Sequence, residues 1–245
     1  MIKFFRRIRQ KMLSENKFSK YLLYAIGEIV LVVIGILIAL SINTTNQKIK
    51  RQELTQTYLK SLMVDIVQDT IEIEAIIMHH ISDSLKISEH RNILTNDDAT
   101  LDDVVKIMVN DWDPRIGSIR GFNTQTFDAL VSTGNIDLID PDILELLGKI
   151  NRLQEEYLSF IGEFIDFYRK SGDPTIINPV GSLSVINTGP IFDRMIEEID
   201  KVRLANNFNG KLTLKRQTNR VSISFLTTIQ QEKIKLIKLI NKKVN

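Results

Sequence analysis

The sequence predicts a mainly α-helical protein: an N-terminal transmembrane helix followed by an extracytoplasmic up-down bundle of long helices. Three observations carry that expectation. Residues 21–42 form an apolar stretch with one ionisable side chain, Glu28. Residues 47–91 contain neither Pro nor Gly and place apolar side chains at alternating steps of three and four, the period of an amphipathic helix. Segments 141–168 and 214–243 repeat that period. No stretch shows convincing strand alternation, although residues 174–187 and 211–215 leave room for short strands.

The chain divides into a basic lead (1–20), a span (21–42) and a helical domain (43–245). The lead holds seven basic side chains against Glu15. Apolar residues such as Phe4, Phe5 and Ile8 lie among Arg6, Arg7, Arg9 and Lys11, a pattern that suits an interfacial helix on anionic lipid. A solvated basic tail that only sets topology is the alternative. The span covers about 30 Å as a helix, the hydrocarbon thickness of a bilayer. Helix is required there because lipid offers backbone polar groups no partner. Tyr21 and Tyr24 suit one interface. Basic residues are dense before the span, and only Lys48, Lys50 and Arg51 follow it closely. This asymmetry places the N-terminus in the cytoplasm. In a bacterial inner membrane the bulk of the chain is then periplasmic. A cleaved signal peptide, read from Ala39-Leu40-Ser41, competes with this. The length of the apolar stretch, the long lead and Glu28 weigh against it.

The first 45 or so residues carry ENK, YAIGEIVLVVIGILIAL and a following Ile-Asn. This N-terminal signature resembles a domain-of-unknown-function family of bacterial single-pass membrane proteins. A weaker echo lies at residues 127–139, FDALVSTGNIDLI. Thr44, Thr45 and Asn46 stand where that family shows Asn-Trp-Asn. The resemblance implies a helical extracytoplasmic domain on an anchor and brings no activity, cofactor or catalytic residue.

Glu28 is the sharpest residue of the span, since an acid inside a membrane is costly and is a functional candidate by default. At 100° per residue it falls on the same face as Gly35 and Ala39. Gly35 and Ala39 form a small-xxx-small pair that lets two helices approach closely. Two roles follow. Glu28 is hydrogen-bonding glue between helices of a homo-oligomer or of a membrane-protein partner, or it carries protons as a subunit of a proton-driven machine. The bland reading is an acid two turns from the cytoplasmic end that snorkels to the headgroups.

Beyond the span, Leu59, Leu62, Ile66, Asp69, Ile73, Ile76, His80, Asp83 and Ile87 form one stripe. Its polar members argue against an uninterrupted two-stranded coiled coil. Thr100 with Asp103 opens a short helix through Trp112, residues 113–121 are loop, and residues 124–132 form a second short helix closed by Gly134. Asp140-Pro141 is an N-cap followed by Pro at the first helical position. The helix it starts places Ile143, Leu147, Ile150, Gln154, Tyr157, Ile161, Phe164 and Tyr168 on one face. Residues 172–189 read as a loop or lid. A helix from Pro190 to about Asn206, a turn at 207–210 and a last helix to Lys243 complete the expectation. The last helix has its stripe at Ile223, Leu226, Gln230, Lys233, Ile237, Ile240 and Val244. Lys233, Lys235, Lys238, Lys242 and Lys243 make a basic face for headgroups, an acidic neighbour helix or simply solvent.

Chemistry is sparse. The absence of cysteine excludes disulfides, thiolate metal sites and cysteine nucleophiles. His79, His80 and Asp83 fall within about one turn, but their spacing is not HExxH and no third histidine lies nearby to complete a metal site. No phosphate loop or nucleophile elbow occurs, so no cofactor is expected. Net charge is +2, and the net-basic stretches are the two ends, 1–20 and 211–245, with an acidic excess over 43–210, which leaves no uniform basic field for nucleic acid. The expected partners are membrane lipid and a second copy or another membrane protein. The expected function is a membrane-anchored scaffold or sensor that acts by binding, ahead of the proton-driven subunit and of a membrane-tethered enzyme.

Overall fold

The structure, a computed structural model, describes residues 18–171, 186 and 188–244, with side chains from residue 22 onward. The lipid-facing candidates Arg6, Arg7, Arg9 and Lys11, and most of the 172–189 loop, lie outside the described residues. Among the described residues there are six α-helices and no strand. They are α1 (Phe18–Leu94), α2 (Leu101–Asn110), α3 (Gln125–Ser132), α4 (Pro141–Lys170), α5 (Pro190–Glu198) and α6 (Lys201–Val244), with one 3-10 turn at Ile136–Leu138. The mainly helical fold with a long apolar N-terminal helix is as the sequence predicts.

The chain forms two compact units, Met1–Thr57 and Tyr58–Asn245. In the first, the side chains of residues 22–50 are exposed apart from the half-buried Ala25. The second unit is a helical bundle in which α4 and α6 make the most extensive helix–helix contact.

The core of the bundle falls into three apolar clusters. The first joins Leu59, Leu62 and Ile66 of α1 to Leu130, to Ile143 and Leu147 of α4, and to Leu236 and Ile240 of α6. The second is built on Ile73, Ile119, Tyr157, Ile161, Leu226 and Ile229. The third joins Ile87 to α2, Trp112, Leu204, Phe208 and Leu212. Numbers rise through the clusters along α1 and fall along α6, so the two helices run antiparallel. Their burial follows the predicted α1 stripe except at Ile76, which is half-buried, and the predicted α4 stripe except at Phe164.

Helix ends obey local chemistry. Thr100 and Asp103 form the expected cap, with Thr100 N donating to Asp103 Oδ2 at 2.9 Å. Gly134 closes α3 with φ +71°, a left-handed conformation that favours glycine. Asp140 Oδ1 accepts from Asp142 N at 3.2 Å at the start of α4. The N-terminus of α3 is capped from a distance: Asp65 of α1 accepts from Thr126 N at 3.1 Å, placing an acid at the positive end of the helix.

Two expectations fail in the C-terminal third. The helix starting at Pro190 stops at Glu198, and α6 runs unbroken through Asn207, Asn209 and Gly210 where a turn was expected. The break falls at Ile199, which is extended. Asp200 then accepts from Arg203 N at 3.0 Å, an N-cap the sequence reading missed. Leu204, Phe208 and Leu212, spaced by four, bury into the third cluster, and that packing outweighs the weak helix propensity of Asn and Gly. Residues 211–215 are helical for the same reason. The buried face of α6 also differs from the prediction. Leu226, Lys233 and Ile240 are buried as expected, but Ile229 and Leu236 replace Ile223, Gln230 and Ile237, which are half-buried.

Gly210 keeps the entropic cost of glycine inside a helix, and a methyl group there would meet nothing within 4 Å. Gly210→Ala is expected to stabilise the bundle by about 0.5–1 kcal/mol. Thermal unfolding of the purified chain checks this, and an unchanged or lower midpoint would show that residues 207–210 are not helical in solution.

Candidate functional site

The three apolar clusters are separated by two buried polar layers, both built between α1 and α6. In the first, Lys233 Nζ lies 2.7 Å from Asp69 Oδ2, with the side chains 4% and 1% exposed. The other carboxylate oxygen accepts from Asn123 N at 2.9 Å and from Asn123 Nδ2 at 2.7 Å. The ammonium also sits over the Phe122 ring, 5.6 Å from its centre. Burial pulls Lys233 below the ordinary lysine range, and Asp69 opposes that shift. One carboxylate thus ties α1, the loop before α3 and α6 together.

The second layer is larger. Lys215 Nζ lies 2.7 Å from Asp83 Oδ2, with the side chains 1% and 9% exposed, and donates to the Asp113 carbonyl at 2.6 Å. It stands 4.9 Å from the centre of the Trp112 ring, which packs edge-on against Phe208 at 5.2 Å. His80 Nδ1 and Asn219 Oδ1 are 2.8 Å apart. Burial lowers the His80 pKa, and the Asn219 hydrogen bond works against that. Burial likewise lowers His90 and raises the Tyr168 phenol. His80 Nε2 and the Tyr168 hydroxyl are buried without a hydrogen-bond partner.

These layers explain the polar members of the α1 stripe. Asp69, His80 and Asp83 interrupt it because each meets a polar partner on α6. The expected basic face of α6 needs correction: Lys233 belongs to the core, Lys243 pairs with Asp140 at 2.5 Å and Lys235 with Glu232 at 2.8 Å. Lys215 and Asn219 were missed. Their signal is a polar residue at a core-phased position of α6, legible only once α1 and α6 are set antiparallel. His79 stays exposed, and its ring fills the space beside Gly117. Among the described residues, no group of three acids or histidines could hold a metal ion.

A cleft of about 290 Å³ opens beside the third cluster, between the end of α1, α2 and α6. Its lining includes the apolar side chains of Ile87, Val104, Phe208 and Leu212, with Arg91 and Arg216 among the polar ones. Both arginines are exposed. An acidic head on a small apolar body matches that lining.

The structure places Glu28, Gly35 and Ala39 on α1 in the first unit, all exposed. A methyl group added at Gly35 would meet nothing within 4 Å. Gly35 and Ala39 lie one helical turn apart and share a face. Among the described residues, α1 is the one helix long and apolar enough to cross a membrane, judged by length and composition.

Compared with known protein families, residues 28–173 match one, a family of unknown function. The match runs from Glu28 to just past the end of α4. No curated protein and no solved structure matches the chain.

Proposed function

The chain belongs to the DUF6090 family, a family of unknown function, and from that footing we propose a membrane-anchored binding protein of scaffold or sensor type. Its N-terminus lies in the cytoplasm and its bundle in the periplasm of a bacterial inner membrane. It acts through contacts of the span and the bundle with a second copy or another membrane protein. One observation carries the reading: the large apolar residues of α1 from Leu22 to Ile42 are exposed, and most are about half exposed or more. A surface of that kind needs lipid or a helix to cover it. Gly35 and Ala39 supply the face for a helix, and the arginine-flanked cleft is where a sensor would take a ligand.

The experiment is a reporter fused after Asn245, combined with alkaline extraction of membranes. The chain should stay with the membrane and the reporter should be active only outside the cytoplasm. Cytoplasmic activity would overturn the orientation, and release by alkali would overturn the anchor. Self-association in mild detergent should weaken in Gly35→Leu. A wild-type chain that runs as a lone monomer sinks the span contact. The intramembrane acid favours a second reading, a subunit of a proton-driven machine. Glu28→Gln separates the two: retained assembly with lost function in cells supports the proton role, and lost assembly supports glue.

A further inference from the structure

The bundle leaves a second apolar seam uncovered. Along α1 the buried face repeats every seven residues through Leu59, Ile66, Ile73, His80 and Ile87. On the opposite face, Val64, Ile71, Met78 and Leu85 repeat at the same interval, with Val67 and Ile81 three residues after the first and third of them. These six side chains are 39–67% exposed. Positions 66 and 64 differ by two residues, or about 200° around a helix, so the two seams are back to back. Six large apolar side chains in one row expose on the order of 500 Å², the size of patch that marks an interaction site.

We infer that this seam is the contact for a second copy of the chain, paired as a parallel two-stranded coiled coil over residues 64–85. The inference rests on the membrane-anchored reading. Two copies anchored in one bilayer run in the same direction, and the seam begins the same number of residues after the span in each, so Val64 meets Val64, Ile71 meets Ile71 and Met78 meets Met78. Spacing by seven with a further residue at three is the pattern that interlocks with itself. Charges on the flanks of such a seam choose between partners, and here the flanks are Gln68, Thr70, Ala75, Ile77, Ser82 and Ser84. None is ionisable, so nothing on them repels an identical helix or selects a charged stranger. Glu74 takes the one apolar place the row lacks. Its counterpart stands opposite it, which keeps the pairing weak enough to depend on the local concentration that an anchor provides.

The cysteine-free chain makes the test direct. Single substitutions Ile71→Cys, Met78→Cys and, as an exposed control about 100° around the helix, Glu72→Cys are introduced into the full chain in membranes and oxidised. Residues 71 and 78 should give a disulfide-linked product of twice the chain mass and residue 72 much less. Glu74→Leu should increase the yield at 78. Equal yield at 71 and 72, no product at 71 and 78 in a chain that stays with the membrane, or a product of different mass would each overturn the seam as a self-contact. A chain released by alkali that still links at 71 and 78 keeps the seam and overturns the anchor instead. Gly35→Leu should leave the 78 product unchanged, which separates this contact from that of the span.

Discussion

Asp69→Ala should destabilise the bundle by about 3–5 kcal/mol, the loss expected when one partner of a buried ion pair is removed and the other stays. The carboxylate is satisfied on both oxygens: by Lys233 on one, and by the backbone and side-chain amides of Asn123 on the other. Removing it strands an ammonium group that is 4% exposed and frees two amide donors. For a unit of this size the thermal midpoint should fall by on the order of 10 °C. The pair in itself is a poor source of stability, because desolvating two charges offsets most of their attraction. The double change Asp69→Leu with Lys233→Met should therefore recover much of the loss. Recovery stays incomplete because the Asn123 amides still lack an acceptor, which costs about 1–3 kcal/mol. Melting curves for the two variants check this. A single variant within 1 kcal/mol of wild type would mean that Lys233 reaches water in solution.

The two polar layers also show what the sequence could and could not tell. Seven-residue periodicity named nearly every buried residue of α1 and α4, because a helix with one core-facing stripe returns to the core at alternating steps of three and four residues, about once per turn. The same method flagged Asp69, His80 and Asp83 as misfits without explaining them. An unpaired buried charge is too costly to keep, so each misfit demanded a partner. That partner lies more than a hundred residues away on α6, and local patterning carries no information about pairing at that distance. The 207–210 turn failed for a related reason. Asn and Gly propensities are worth less than burying Leu204, Phe208 and Leu212 on one face, and burial is a property of the fold. The outward seam of α1 was readable in Val64, Ile71, Met78 and Leu85. It was hidden because the inner stripe already accounted for the helix, and only observed exposure shows that a second face is left over.

Lys215→Met should cost a similar 3–5 kcal/mol near neutral pH. Lys215 pairs with Asp83 and donates to the Asp113 carbonyl, while Asn219 Nδ2 reaches Asp83 only at 3.5 Å. Without the ammonium, a carboxylate that is 9% exposed keeps no cation and the Asp113 carbonyl loses its donor, and stranding the carboxylate carries most of the cost. Asp69→Ala instead leaves a buried cation. Burial already pulls Lys233 below the ordinary lysine range while Asp69 opposes that shift, so removing Asp69 takes the folded-state value lower still. The folded variant then gives up its proton more readily than its unfolded chain, and its deficit relative to wild type should shrink as pH rises. Denaturant midpoints for both variants and wild type, measured from pH 5 to pH 9 at fixed ionic strength, check the two losses and this slope. A deficit of Asp69→Ala that stays constant across the range would mean that Lys233 is already screened by water. A slip of either helix by one residue would separate both pairs at once, so the two layers together fix the register of α1 against α6.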